Sequence, residues 1–145
     1  MDSKNSLAEN ICPIARGLTL LGDEWSMLIL RDAHKGLTRF DQFKKSLGIA
    51  PTMLTKRLEM LTAENLLEKR QYSDRPPRDE YMLTEAGRDC LPLLYMIGAW
   101  GRKHRGDEKM TRFVDAETGI DIQPVAIDAV TGAEIGTRLI RMVGA

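Results

Sequence analysis

Thr52-Met-Leu-Thr-Lys-Arg-Leu-Glu-Met-Leu61, followed by the basic tip Asp74-Arg-Pro-Pro-Arg78 and the run Asp79-Glu-Tyr-Met-Leu83, decides the reading of this chain. The first run sets Leu54, Leu58 and Leu61 at i, i+4 and i+7, a single stripe of a helix. Thr52, Met53, Thr55, Lys56 and Glu59 are left on the outer face, with Arg57 at its margin. Alternation from Leu66 to Tyr72, then Pro76-Pro77, then Glu80 to Leu83 predicts a β-hairpin. A helix with a polar outer face beside a hairpin tipped by arginines suits duplex DNA. The helix can enter the major groove while the tip reaches phosphates or the neighbouring minor groove.

Upstream, residues 7–16 are weakly helical, and Cys12-Pro13 opens or re-opens a helix. Leu18 to Ala33 is a stronger helical stretch: Leu21, Trp25, Leu28, Ile29 and Asp32 trace one face, and Gly36 stops it. Thr38 is a cap candidate for a helix through Ser46 that puts Phe40, Phe43 and Leu47 on one side. Gly48-Ile-Ala50 is a tight turn, and Pro51 takes the first helical position, where its missing N–H costs nothing. A helix, a turn and a helix followed by the hairpin make a winged helix-turn-helix.

Downstream, Thr84 to about Arg105 reads as a long helical stretch, with Pro92 either kinking it or opening a new first turn. Leu91, Leu94, Tyr95, Ile97 and Trp100 give it more apolar surface than one small domain can cover, so part of it is expected to pack on a second subunit. The last 40 or so residues are acidic, β-prone and rich in glycine. They hold a repeat: Asp115-Ala-Glu-Thr-Gly119-Ile-Asp-Ile122 matches Asp128-Ala-Val-Thr-Gly132-Ala-Glu-Ile135. Each copy reads as a turn between two strands, with Gly119 or Gly132 supplying positive φ. The expected fold is α+β, mainly α. Residues 1–106 form the winged helix-turn-helix with its long dimerisation helix, and residues 107–145 a small β-rich appendage.

At 145 residues with 43% apolar content, the chain has the size and composition of a globular protein. No apolar run approaches the roughly 20 residues that span a bilayer. The N-terminal apolar part, Ile11 to Gly22, is broken by Arg16 and is not expected to be a signal peptide. Two cysteines, Cys12 and Cys90, make no disulfide framework, so the expectation is cytoplasmic residence without a membrane partner. Net charge is zero, but the charge is unevenly spread. Arg31 to Arg78 holds 11 basic and 6 acidic residues, a net of +5, and the flanks carry −5. A polyanion responds to the local field within a Debye length of about 8–10 Å rather than to the total.

These residues resemble the HxlR-type winged-helix transcriptional regulators of bacteria, relatives of the MarR group, over about residues 11–104. The resemblance rests on Cys12-Pro-Ile, Gly22-Asp-Glu-Trp25 running into Leu28-Ile-Leu-Arg-Asp32, and Thr38-Arg-Phe40. It continues through Met53-Leu-Thr-Lys-Arg-Leu58, Pro76-Pro-Arg78 with Tyr81, and Leu83-Thr-Glu-Ala-Gly87. It implies a homodimer on a pseudo-palindromic operator, regulating a neighbouring gene in response to an oxidant, an electrophile or a small molecule. It also implies subunit contacts through the N-terminal helix and the helix after the wing.

Two departures stand out. Ala50 replaces the serine that often caps the recognition helix in the family, a loss of about 0.5–2 kcal/mol. Phosphate oxygens can take over the freed N–H groups on binding. The tail resembles a zinc ribbon in which Asp115-Ala-Glu-Thr118 and Asp128-Ala-Val-Thr131 stand at the knuckles without cysteine. A thiolate zinc site is thereby excluded, and a degenerate, metal-free ribbon is expected.

For base edges the candidates are Thr52, Met53, Thr55 and Lys56, although the same residues would make an ordinary solvated helix face. Arg75 and Arg78 are the wing candidates, and Arg39, Lys44, Lys45 and Arg57 the backbone contacts, each also readable as a surface charge. Cys12, at a helix start with Arg16 four residues on, is a redox candidate; the plainer reading is a small buried hydrophobe. Its partner on oxidation would be Cys90, the other subunit's Cys12 or a small thiol. Trp25, Trp100 and Tyr95 read as core and interface residues, with an effector pocket as the alternative.

The leading expectation is a DNA-binding repressor. The alternative is a winged-helix protein–protein interaction module without specific DNA binding. No positioned nucleophile and base, paired carboxylates, metal-ligand set or phosphate-cradling glycine loop is present, so neither enzymatic activity nor a cofactor is expected.

Overall fold

The computed structural model describes residues 9–144. Its elements in order are α1 (Pro13–Leu21), α2 (Glu24–His34), α3 (Phe40–Leu47), α4 (Pro51–Ala63), β1 (Leu67–Asp74), β2 (Pro77–Leu83), α5 (Glu85–Arg88) and α6 (Leu91–Arg105). This is a mainly α, α+β winged helix-turn-helix. The part of the expected N-terminal helix at residues 7 and 8 lies outside the described residues. The chain divides into two compact units, Met1–Leu91 and Pro92–Ala145, so the division falls at the first residue of α6.

In the first unit the core is Ile29, Leu30 and Ala33 of α2, Phe43 of α3, Ile49 of the turn, Leu54, Leu58 and Leu61 of α4, Leu66 and Leu67 of the wing, and Cys90. The leucine stripe of α4 is fully buried, 0% exposed at all three positions, as its 3.6-residue periodicity demands. Asp32 lies on the core face of α2 and is also 0% exposed. A carboxylate there needs partners, and the Arg31 guanidinium supplies one at 2.9 Å, while its Oδ2 is left without a hydrogen bond.

The caps explain where the helices begin. Asp23 starts α2 by accepting from the Trp25 and Ser26 N–H groups at 2.9 and 3.0 Å. The cap of α3 is Arg39 rather than Thr38. Gln42 Oε1 reaches back to accept from both the Thr38 and Arg39 N–H groups at 3.0 Å. Thr38 is pulled toward the wing instead, where its carbonyl accepts from the Tyr81 N–H at 2.7 Å. Gly48 closes α3 in the left-handed region at φ +61, and buried Ile49 pins the turn into α4.

β1 and β2 pair antiparallel from Leu67 with Leu83 to Asp74 with Pro77. The tip is tighter than the sequence suggested: Pro77 and Arg78 belong to β2, leaving Arg75-Pro76 as the loop. Proline is tolerated as the first residue of a strand because no inner ladder bond is lost there. The register shifts between Gln71 and Ser73, a bulge that frees Tyr72 from the ladder. A bridge from Arg39 to Glu80 joins the start of α3 to the wing.

The stretch expected to be one helix from Thr84 is two. Thr84 caps the short α5, and Pro92 opens the first turn of α6. Gly87 makes the first of these possible: a Cβ there would stand 2.2 Å from the Leu66 carbonyl oxygen.

In the second unit, α6 is followed by the two repeats. Each Asp side chain accepts from the backbone of its own turn: Asp115 Oδ1 from the Glu117 and Thr118 N–H groups, and Asp128 Oδ1 from the Val130 N–H. Gly119 and Gly132, at φ +69 and +72, return the chain. The equivalence of the repeats is therefore structural. The expected strands are shorter than predicted, since each turn is closed by one isolated bridge, Val114 with Asp121 and Ile127 with Glu134. A two-stranded pairing of a few residues has no third strand to extend it, so the β-rich appendage is a pair of bridged turns.

Candidate nucleic-acid interface

The outer face of α4 follows from its inner face. Burying Leu54, Leu58 and Leu61 turns Thr52, Thr55, Lys56 and Glu59 into solvent. Met53 is different: it is half-buried and packs against the core cluster. The Thr55 hydroxyl donates to its own helix at Pro51 O, 3.0 Å, and keeps its acceptor lone pairs outward. Ala50 caps α4 with no side-chain acceptor, so the first N–H groups of the helix receive none from it.

Ion pairing sorts the 11 basic residues between Arg31 and Arg78. Arg31 and Lys35 serve Asp32, Lys69 serves Asp79 at 3.5 Å, and Arg70 serves Glu80 at 2.8 Å. Arg57 Nε lies 3.2 Å from Asp23 Oδ2 without the N–H being aimed at that oxygen, an ion pair by distance rather than a hydrogen bond. Among the described residues, Arg39, Lys44, Lys45, Lys56, Arg75 and Arg78 have no carboxylate within ion-pair distance. All six are sequence candidates: Arg39, Lys44 and Lys45 for the backbone, Arg75 and Arg78 for the wing, and Lys56 as a base reader. Arg57 is the remaining backbone candidate, and the structure ties it to Asp23.

Arg39 also shows what the sequence pattern could not. Its guanidinium lies 4.2 Å from the centre of the Tyr72 ring, the residue released by the wing bulge. Both residues line a groove of about 510 Å³ together with Gln42, Arg78 and the carboxylates of Asp41 and Asp79. Nearby, Glu80 is held below the usual carboxylate range, chiefly by the hydrogen bond from Arg70, so it stays charged and occupied. Tyr72, Arg70 and Glu80 were missed because pairing across a hairpin depends on register, which the sequence does not state. The bulge was the deciding event.

Of the two thiols, Cys90 is buried and donates to Ala86 O at 3.6 Å, and burial pushes it up from its ordinary value. Cys12 is half-exposed at the N-cap of α1. The Arg16 guanidinium donates to Asn10 O, while the Cys12 N–H donates to Asn10 Oδ1 at 2.9 Å. Among the described residues no cluster of three His, Cys, Asp or Glu is placed to hold a metal ion. None of the described helices is long and apolar enough to cross a membrane.

On the candidate interface helices, α1 and α6 bury no residue completely. Ile11, just before α1, lines up with Ile14 and Leu18 in one exposed row, and Leu93, Ile97 and Trp100 form another on α6. Leu91, Leu94 and Tyr95 are half-buried, and Tyr95 meets the Phe113 ring edge-on at 5.2 Å. Leu93 was missed from sequence, although its spacing from Ile97 and Trp100 was there to be read.

A buried helical stripe, an outward polar row and a cation-tipped hairpin define a winged helix-turn-helix of the transcriptional-regulator type. The chain belongs to the HxlR-like helix-turn-helix family, which it matches over residues 20–109. It is 42% identical over 91 residues to Rv3095 of Mycobacterium tuberculosis, an uncharacterised HTH-type transcriptional regulator. That match covers 63% of this chain and 58% of the mycobacterial protein, so the chain spans little more than half of that relative's length. Its fold is similar to the crystal structure of PA1607, a candidate transcription factor, with a TM-score of 0.83 and 37% identity over 94% of this chain and 99% of the other. It also resembles the redox regulator HypR in its reduced form, with a TM-score of 0.61 and 30% identity over 65% of this chain and 94% of that one.

Proposed function

We propose that this protein is a transcriptional repressor that binds a pseudo-palindromic operator as a homodimer, reading bases with α4 (about 51–62) and gripping the backbone with the wing (about 67–83). The observation that carries this reading is the sorting of cations. Five of the basic residues between Arg31 and Arg78 are paired with carboxylates, and among the described residues six have no such partner, one on the outer face of α4 and the others on α3, at its cap or at the wing tip. Thr52, Thr55 and Lys56 are the base readers: threonine can bond a base or touch a thymine methyl, and lysine donates to guanine. Arg39, Lys44, Lys45, Arg75 and Arg78 hold phosphates. Arg57 acts through Asp23, fixing the pose of α4 on α2. Met53 packs against the core cluster and stays half-exposed beside the base readers.

The homodimer is supported by the two exposed apolar rows, Ile11 with Ile14 and Leu18, and Leu93 with Ile97 and Trp100. Oxidant control through Cys12 is supported by its exposure at a helix start, by the burial of Cys90 and by the likeness to a redox regulator.

The test is fluorescence anisotropy of the full chain titrated onto labelled duplex from upstream of its own gene, at two salt concentrations, against a scrambled duplex. Tight, salt-weakened binding that favours the native duplex is expected. Salt-insensitive binding or none to any duplex would turn the wing and α4 into a protein-docking surface instead.

A further inference from the structure

The second unit contains a groove of about 520 Å³ between one side of α6 and the first tail repeat. Its apolar and aromatic lining is Tyr95, Phe113, Ile122 and Val125. The Tyr95 and Phe113 rings meet at 76°, edge to face, and Phe113 is 39% exposed beside the helix. Gly98 permits this approach, since a Cβ there would stand 3.2 Å from Phe113 Cε2. The rim is cationic. Arg112, Arg102 and Lys103 line it against a single carboxylate, Asp121. Asp121 is already taken by Arg112 at 2.8 Å. Among the described residues Arg102 donates to the neutral Thr111 carbonyl and to no carboxylate, and Lys103 enters no ion pair. Two positive charges therefore stand uncompensated at the mouth of an aromatic groove.

We propose that this groove is a binding site for a small aromatic carboxylate, its ring on Phe113 and its carboxylate at Arg102 and Lys103. An apolar lining with a few convergent polar groups is the usual form of a small-ligand site, and the sign of the rim selects an anion. The groove side of α6 carries Tyr95, Gly98, Ala99 and Arg102, whereas its exposed apolar row is Leu93, Ile97 and Trp100. At 3.6 residues per turn the two sets point about 180° apart, with Lys103 about 90° from the apolar row, so a partner on that row leaves the aromatic side of the groove open. Only the consequence, ligand control of DNA binding, rests on the regulator reading. Direct binding without DNA tests the site by itself.

The probe is 2-naphthoate titrated calorimetrically into the full chain, with neutral 2-naphthamide as its uncharged counterpart. One naphthoate per chain is expected, with the amide at least tenfold weaker. Lys103→Gln breaks no ion pair and should weaken naphthoate several-fold while leaving the amide unchanged. Val125→Glu, at a half-exposed lining position, should abolish naphthoate binding without altering the thermal transition. Equal binding of acid and amide, indifference to either substitution, or no saturable binding at millimolar naphthoate would each overturn the proposal.

Discussion

Arg57 of α4 lies 3.2 Å from the carboxylate of Asp23, the residue that caps α2. One aspartate thus starts a core helix and tethers the helix proposed to read DNA. Asp23 also accepts from the Ser26 hydroxyl at 2.5 Å, which explains why a serine can be fully buried there. Asp23→Ala should lower stability by about 1–2 kcal/mol through the lost cap, read as a shift in urea midpoint. Burial opposes ionisation of Asp23, but the Ser26 hydroxyl, the Ser26 and Trp25 N–H groups and the Arg57 charge outweigh it and hold the carboxyl below its usual range. A group depressed by folding adds stability above its unfolded value of about 3.9, and that contribution is lost as pH falls through the folded value. The parent should therefore lose stability in that acid window more steeply than Asp23→Ala. Parallel losses would assign the acid sensitivity elsewhere.

Gly87→Ala tests the seat of α5. The added methyl would stand 2.2 Å from the Leu66 carbonyl oxygen, and backbone on both sides cannot yield cheaply. Overpacking of this kind costs about 1–3 kcal/mol, so thermal unfolding should occur well below that of the parent. An unchanged transition would show that α5 moves freely on the wing.

Arg78→Ala should weaken DNA binding while leaving the oligomeric state unchanged. Removing one phosphate contact in each of two subunits should lower the slope of log affinity against log salt by about 1.8. Unchanged affinity would take Arg78 out of the interface.

Ile97→Glu places a charge in the exposed apolar row of α6, between Leu93 and Trp100. Analytical ultracentrifugation should show monomer where the parent sediments as dimer, with operator affinity falling accordingly. A dimeric variant would move the subunit contact away from this row.

Cys12→Ser should bind DNA as the parent does and should no longer be released by diamide. Release of the variant by diamide would exclude Cys12 as the sensor, and Cys90 is too buried to replace it without local opening.

Periodicity carried the helices because burying one face is a local demand. Leu54, Leu58 and Leu61 announced the orientation of α4, and with it the outward placement of Thr52, Thr55 and Lys56, before any tertiary contact was known. The tail repeat was legible for a similar reason, since an aspartate accepting from its own turn and a glycine at positive φ are interactions within a few residues. Ends and pairings were not legible. Thr38 lost its capping role to Arg39 because its carbonyl was claimed by Tyr81, 43 positions later in the chain.

The amino-acid sequence by itself determined the class of fold, the buried leucine stripe of α4 and the basic character of residues 31–78, all of which depend on spacing and composition. Tertiary structure decided which of those cations remain available, because an ion pair depends on which elements meet. It set Arg57 on Asp23, Arg70 on Glu80 and Arg39 over Tyr72. It also placed Phe113 against Tyr95, making a cationic aromatic groove from residues that look unrelated along the chain. Charge follows composition, but its availability follows from distance, and distance between remote residues is fixed only by folding.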